Sequence, residues 1–222
     1  MELGMPTHEE QVAIQAIVAA RNIPYLVHFT RVENLPSILR NGLCPRGLLN
    51  GLNNEVTLIN DTVRADGKTG YNCLSISFPN CSMFWRCRID ENGERDNTDW
   101  AVLLISKRIL SEKNCLFYPI NAATNTVSGL PIHNFNNANA LEAMFAYDRD
   151  HWLENHDPTD VQAEVLVEGI IEPEYFGYCL FEKGELKNRY SSLFPDTHIQ
   201  MMHHTAMFSN RKYARFNLDF KR

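Results

Sequence analysis

Short apolar runs separated by polar loops are the feature of this sequence that most constrains its fold. No run approaches the roughly 20 apolar residues that a membrane-spanning helix needs, so neither a membrane domain nor a membrane partner is expected. Most runs contain β-branched or aromatic residues and end at turn residues, which is typical of strands. The expected strands are 25–29, 72–78, 101–106, 116–119, 161–167 and 178–182, with one or two more within 198–208.

Helices are expected near the start and in the middle of the chain. Thr7 and Glu10 have the spacing of a capping box, and apolar residues at helical spacing follow them, which predicts a helix over 8–21. A second helical pattern starts after the first strand and ends at Gly42, and a third covers 140–147. Helices early in the chain and many short strands later predict an α+β fold.

Two long loop-like segments, 45–70 and 121–139, interrupt this pattern. Long loops inside compact domains are usually functional, so binding or catalytic residues are expected in or beside them. The 222 residues fit a single domain, 1–222.

Charge and cysteine content exclude some classes of protein. The net charge of −6 disfavours a protein that coats duplex DNA with a broad basic surface, although a local groove could still bind a few nucleotides. Candidate groove cations are Arg86 and Arg88, or Arg211, Lys212 and Arg215. The six cysteines include no CxxC pair and no zinc-finger spacing, so reduced, mostly buried thiols and no bound metal are expected. Residues 1–10 lack the features of a secretory signal, which favours a cytoplasmic protein.

A Gln-x-Glu pattern marks the candidate catalytic carboxylate. In a strand, residues two apart point to the same face, so Gln162 and Glu164 are expected to project together from 161–167. A turn-rich stretch, 156–160, would deliver them at the start of the strand. The pattern occurs often by chance, so an ordinary edge strand with two solvent-facing side chains is the simpler interpretation.

Three other places offer polar side chains to a ligand. Ser75 and Ser77 are expected on one face of their strand, where serines can line a cleft or simply face solvent. His28 and Thr30 precede a helix start, which would make a binding corner for an anion or an amide, although a structural histidine is more common. Arg64, in the first long loop, could hold a pyrophosphate or form a surface salt bridge.

The order of these motifs along the chain says more than any one of them. The motifs are His28-Phe-Thr30, Asn34-Leu35, Gly42-Leu43, Asn60-Asp61, Arg64-Ala-Asp66-Gly67, Ser75-Ile-Ser-Phe-Pro-Asn80, Met83-Phe84, Asn121-Ala-Ala123 and Asp160-Val-Gln-Ala-Glu164. This order resembles the DarT family of bacterial DNA ADP-ribosyltransferase toxins, over roughly residues 10–175. No GxGxxG, Walker or GxSxG motif points to another nucleotide-binding or hydrolase framework.

The resemblance implies a fold, a co-substrate and a set of roles. The fold would be an ADP-ribosyltransferase-like core in which two parts of a split β-sheet, with flanking helices, enclose a cleft for NAD. Glu164 would be the catalytic carboxylate, and Arg64 would clamp the NAD phosphates or position the acceptor. The remaining NAD contacts would come from His28, Thr30, Asn34, Ser75 and Ser77.

The resemblance also implies an acceptor and partners. A base of single-stranded DNA would receive ADP-ribose, and the candidate base contacts are Gln162, Phe84, Trp85 and Tyr147. A monomeric toxin is expected, with an antitoxin partner that removes ADP-ribose from DNA. Transfer to protein or RNA, and a non-catalytic NAD-binding module, stay open as alternatives.

The sequence also bears on the acceptor base. The thymine-modifying branch has aromatic residues where this chain has Ser75-Ile-Ser77, and Gln162 matches a pattern of some guanine-modifying transferases outside the family. The expected acceptor is therefore guanine rather than thymine.

Overall fold

The computed structural model describes residues 5–51, 66–146 and 148–216, and a seven-stranded sheet forms its centre. The strands lie in the order β4-β5-β2-β1-β3-β6-β7. All neighbouring strands are antiparallel except β6 and β7, which are parallel. The strands are β1 Leu26–Arg31, β2 Tyr71–Ile76, β3 Trp100–Ile105, β4 Cys115–Tyr118, β5 Glu164–Glu168, β6 Phe176–Phe181 and β7 Gln200–His203.

Eight α-helices flank the sheet in the part of the chain that the structure describes. They are α1 His8–Ala20, α2 Leu35–Asn41, α3 Cys81–Cys87, α4 Ile109–Glu112, α5 Asn125–Ser128, α6 Ala138–Ala143, α7 Gly184–Leu193 and α8 Arg211–Phe216. Short 3-10 turns lie at Val32–Asn34, Arg46–Gly51, Ile132–Asn134, Pro173–Tyr175 and Ala206–Phe208. None of these helices is both long and apolar enough to cross a membrane.

The ends of the first two helices follow the sequence signals. The backbone N–H of Glu10 donates to Oγ1 of Thr7 at 3.3 Å, which confirms the predicted N-cap of α1. Gly42 ends α2 with φ 87°, a conformation that favours glycine. A Cβ at Gly42 would also lie 2.5 Å from the carbonyl oxygen of Ile171, so only glycine fits this close approach.

The sheet opens between β1 and β2. These strands pair at two positions, Leu26 with Ile76 and Val27 with Ser75. Beyond them, the rest of β1 pairs with β3 and the rest of β2 pairs with β5. The expected split core is thus one continuous sheet that divides partway along two neighbouring strands, which leaves a cleft at its centre.

Both faces of the sheet are covered, and β3 shows this most clearly. Alternate residues of β3 belong to two hydrophobic clusters, with Leu103 in one and Val102 in the other, and all six residues of the strand are buried. Burying a leucine or valine contributes about 1.5–3 kcal/mol, so these two layers fix the sheet that carries the cleft.

The structure corrects several sequence predictions. The α+β class is confirmed, but helices α7 and α8 follow most of the strands, and the sequence did not predict them or α3. The strand predicted over 161–167 begins only at Glu164, and 198–208 holds a single described strand, β7. All six cysteines are free thiols, but only Cys115 and Cys179 are buried, whereas most of the six were expected to be.

Candidate active site

A cavity of about 970 Å³ lies where the sheet opens. This volume is at the upper end of the range of about 300–1,000 Å³ for small-molecule sites. Six of the side chains that the sequence singled out line it, from β1, the turn after it, β2 and the start of β5: His28, Thr30, Asn34, Ser75, Gln162 and Glu164. The structure therefore brings together residues that are up to 136 positions apart in the chain, from His28 to Glu164.

Glu164 has a fixed orientation on the cavity wall. It is half-buried at the first position of β5 and pairs with Tyr118 of β4. Its Oε1 accepts from the side-chain amide of Asn121 at 3.2 Å, and its Oε2 accepts from the backbone N–H of Ala122 at 3.2 Å. The Asn121 Oδ1 in turn accepts from the N–H of Ala123 at 2.9 Å, which orients the amide. Both carboxylate oxygens are thus held by donors from one short loop.

No role was predicted for Asn121 from the sequence, although its side-chain amide orients the candidate carboxylate. The available signal was its place two residues after the predicted strand 116–119, because loops at strand ends often carry functional residues.

Gln162 reaches the cavity from a turn rather than from a strand. Oδ1 of Asp160 accepts from the N–H of Gln162 at 2.7 Å, and the carbonyl of Asp160 accepts from the N–H of Ala163. Residues 161–163 are therefore a turn, and β5 starts immediately after it. Gln162 and Glu164 both line the cavity, as expected, but strand alternation is not the reason.

His28, Thr30 and Asn34 form the other wall of the cleft. Nδ1 of His28 lies 3.1 Å from the carbonyl oxygen of Cys73 across the opening between β1 and β2. A carbonyl only accepts, so Nδ1 carries a hydrogen in this contact. Thr30 is buried, and its hydroxyl accepts from the amide of Asn34 at 3.0 Å. This wall offers amide, hydroxyl and imidazole groups to a ligand.

The two predicted serines do not share a face. Ser75 lines the cavity, and its hydroxyl accepts from the N–H of Asn80 at 3.2 Å. Ser77 lies outside the cavity lining, because β2 ends at Ile76 and the backbone turns into the left-handed region, with φ 62° at Ser77. Its buried hydroxyl donates to Oδ1 of Asp157 at 2.7 Å. The prediction that Ser75 and Ser77 share one face of a strand is therefore wrong, and the cavity lining gives no support to the NAD contact predicted for Ser77.

Phe84 does not stack on a base, because it is a core residue. The residue is 2% exposed. The centroid of its ring lies 4.5 Å from the ring centroid of Phe29, 5.5 Å from that of Trp100 and 5.7 Å from that of Phe208. Trp85, the next residue, is 58% exposed on α3 but does not line the cavity.

Some predicted residues lie elsewhere than expected, or outside the described residues. Arg64 and Tyr147 lie outside the residues that the structure describes. Arg88 and Arg211 are buried and donate to internal carbonyl groups, so they are not groove cations. Arg86 is exposed and lines the cavity, which keeps it a candidate.

Two phenols near the cleft, that of the partly buried Tyr71 and that of the buried Tyr118, stay protonated at neutral pH. Burial, followed by the nearby charge of Glu168, raises the pKa of Tyr71 to about 12. Burial, followed by the charge of Asp66, raises the pKa of Tyr118 to about 12. Neither phenol can act as a base near pH 7, so Glu164 is the better candidate for that role. The described residues contain no group of three possible metal ligands.

Comparison with solved structures shows which fold this is. A Thermus sp. 2.9 DarT in complex with NAD+ matches with a TM-score of 0.55 at 14% identity, over 83% of this chain and 96% of that one. The same protein in complex with ADP-ribosylated ssDNA matches with a TM-score of 0.58 at 13% identity, over 94% and 100%. A Thermosipho africanus DarTG in complex with ADP-ribose matches with a TM-score of 0.57 at 15% identity, and this chain spans 50% of its length.

The chain therefore has the fold of these structures, and in this chain the sheet opens into a cleft that a carboxylate, Glu164, lines. A sequence model of the family described as "ssDNA thymidine ADP-ribosyltransferase, DarT" matches residues 27–209, which is most of the chain. The chain belongs to this DarT family. No curated protein sequence matches it.

Proposed function

We propose that this chain transfers ADP-ribose from NAD to a base of single-stranded DNA, with Glu164 as the catalytic carboxylate. One observation carries the proposal: Glu164 lies in the cavity with both of its oxygens held by donors from the loop after β4. The strand order places it on the β2–β5 side of the opening, whereas His28, Thr30 and Asn34 belong to the β1 side. A dinucleotide between these walls would meet the carboxylate on one side and the polar corner on the other.

The chemistry requires a fixed negative charge at this place. When the bond between nicotinamide and ribose breaks, its electron pair leaves with the nicotinamide nitrogen, and the ribose gains positive charge, as in glycoside hydrolysis. Glu164 would accept a hydrogen bond from the ribose 2′-hydroxyl and stabilise that charge. It could also take the proton that the attacking base nitrogen loses. A carboxylate already oriented by Asn121 needs little rearrangement for either task.

Binding NAD would fall to the polar residues of the cavity. His28, Thr30 and Asn34 offer the groups that an amide and a ribose need, and Ser75 lies beside them on β2. The volume of about 970 Å³ leaves room for a dinucleotide and an incoming base. Arg64 stays a prediction for the NAD phosphates.

A DNA base is the proposed acceptor because the family is described as acting on ssDNA. The edge of a stacked base is hard to reach, so the substrate would be single-stranded or flipped out. Arg86 lines the cavity and Trp85 is exposed beside it on α3, which makes them candidates for a phosphate and a base contact.

The identity of the acceptor base depends on few residues. Guanine was expected from Ser75-Ile-Ser77 and from Gln162, but Ser77 lies outside the cavity lining, which weakens that argument. The family description names thymidine. We therefore favour thymidine, and guanine stays the competing candidate because Gln162 does line the cavity.

Mass spectrometry of oligonucleotides distinguishes these possibilities. Single-stranded oligonucleotides, each lacking one base, are incubated with NAD and the chain or its Glu164→Gln variant. An ADP-ribose adduct is expected with wild type only, and it should be absent from the oligonucleotide that lacks thymine. If the adduct is instead absent from the oligonucleotide that lacks guanine, then guanine is the acceptor. Adducts on protein or RNA but not on DNA would overturn the DNA proposal, and NAD binding without nicotinamide release would indicate a non-catalytic module.

The biological role follows from the same activity. We propose that the chain is a monomeric toxin of the bacterial cytoplasm, paired with an antitoxin that removes ADP-ribose from DNA. Expression of wild type should then arrest growth, whereas expression of Glu164→Gln should not. Equal toxicity of the two proteins would contradict this role.

A further inference from the structure

A fully buried carboxylate lies seven residues before Glu164. Asp157 is 0% exposed and accepts four hydrogen bonds. Arg215 donates two of them, from Nε at 2.8 Å and from Nη2 at 2.5 Å. The hydroxyl of Ser77 donates the third at 2.7 Å, and the N–H of Glu154 donates the fourth at 3.0 Å. The carboxylate joins the end of β2, helix α8 and the loop that leads to β5.

Asp157 stays charged in spite of its burial. Burial alone would raise the pKa of its carboxyl group, but the hydrogen bonds and charge of Arg215, with the Ser77 hydroxyl, outweigh it and lower the pKa. A buried ion pair is costly to break, because removal of one partner leaves the other charged and unpaired. The pair is therefore a rigid attachment point.

A second arginine of α8 holds the next residues of the loop. Nη1 of Arg211 donates to the carbonyl of Pro158 at 3.0 Å, and its Nη2 donates to the carbonyl of Thr159 at 3.3 Å. With Asp157, three consecutive residues are attached to one helix. Asp160 follows directly and closes the turn that carries Gln162 into the cavity.

We propose that Arg215, through Asp157, is a positioning residue for the turn that presents Gln162 and Glu164, which makes α8 part of the catalytic assembly. The inference depends on the proposed function. The residue that it concerns, Arg215, belongs to α8, and this helix lies outside residues 27–209, the part of the chain that the family model matches. Arg215 itself does not line the cavity, so its effect on catalysis would pass through the loop.

The test compares two buried arginines. Arg215→Met breaks the attachment of the loop. Arg88→Met is the matched control, because Arg88 is also buried and donates to a carboxylate, Glu182 at 2.8 Å, and to a carbonyl, Phe208 at 2.6 Å. Neither partner belongs to the loop 154–164: Glu182 follows β6, and Phe208 lies in the 3-10 turn before α8. For each variant, kcat and KM for NAD are measured by nicotinamide release, well below its Tm, with a DNA oligonucleotide present.

Displacement of a reacting group by about 1 Å can cost on the order of 100-fold in rate. We expect Arg215→Met to lower kcat by about 10- to 100-fold with little change in KM for NAD, and Arg88→Met to lower Tm without a comparable loss of kcat. Arg215→Lys keeps the charge but not the two-pronged contact, so its kcat should be intermediate.

Hydrogen–deuterium exchange gives a second measurement that does not depend on turnover. In Arg215→Met, amides of 154–164 should exchange faster, while those of β1 and β3 stay protected. Equal kcat values for Arg215→Met and Arg88→Met, or unchanged exchange over 154–164, would overturn the inference. A wild-type chain that releases no nicotinamide would instead contradict the proposed function.

Discussion

Replacement of Asn121 by alanine removes one of the two donors that orient Glu164, and its effect can be estimated from the structure. A hydrogen bond to a charged group contributes about 1.5–3 kcal/mol. The distance between Asn121 Nδ2 and Glu164 Oε1 is 3.2 Å, at the long end of the normal range, and the pair is only partly buried. The expected contribution of this hydrogen bond is therefore at the low end, about 1.5 kcal/mol. If all of it stabilises the transition state, its loss lowers kcat roughly tenfold.

The control for this prediction lies at the other end of β5. The side-chain amide of Asn114 donates to Oε2 of Glu168 at 3.0 Å, which is the same kind of contact outside the main cavity. Nicotinamide release is measured for Asn121→Ala and Asn114→Ala at saturating NAD and oligonucleotide. The first variant should be about tenfold slower than wild type, and the second should be close to wild type. A wild-type rate for Asn121→Ala would refute the idea that its amide prepares the carboxylate.

Two further predictions concern stability. Phe84→Ala should lower the free energy of unfolding by about 3–5 kcal/mol because it empties a buried aromatic cluster, whereas Trp85→Ala should change it by less than about 0.5 kcal/mol. Urea unfolding checks both, and a fully stable Phe84→Ala would mean that the ring is not part of the core. The second prediction concerns pH: Asp157→Asn should cost about 3–5 kcal/mol near neutral pH, because it leaves a buried arginine without its carboxylate. The pKa of Asp157 is lower in the folded than in the unfolded state, so its ionised carboxylate stabilises the fold. This stabilisation is complete above the unfolded-state pKa of about 3.9 and is lost as the pH falls through the lower folded-state pKa. The difference in unfolding free energy between wild type and Asp157→Asn should therefore shrink on acidification, and a difference independent of pH would contradict the ionised pair.

The strands were predictable where burial on both faces leaves a continuous apolar run. β3 was expected over 101–106 and is found at Trp100–Ile105, because its side chains fill hydrophobic clusters on both sides of the sheet. The start of β5 was less predictable. The sequence pattern of a strand continues upstream of Glu164, so the strand was predicted from residue 161. In the structure, the side chain of Asp160 closes a turn at 160–162, and the strand starts only after it.

Long-range contacts explain why sequence patterns predicted the wrong surroundings for some residues. Alternation predicted Ser77 in the strand, yet its hydroxyl bonds to Asp157, 80 positions away, and the backbone leaves the strand. Phe84 was expected to face a ligand, but its partners are aromatic rings from distant segments. Asn121 reaches Glu164 across 43 positions. A local sequence pattern contains no information on such partners, whereas Gln162 and Glu164 were found because they are close together in the chain.

A crystal structure of this chain with an NAD analogue whose nicotinamide–ribose bond cannot break tests the central claim most directly. We predict that the dinucleotide lies between the two walls of the cleft, with the 2′-hydroxyl of the nicotinamide ribose about 2.5–3.0 Å from the Glu164 carboxylate. An analogue bound outside this cavity, or with that ribose turned away from Glu164, would contradict it.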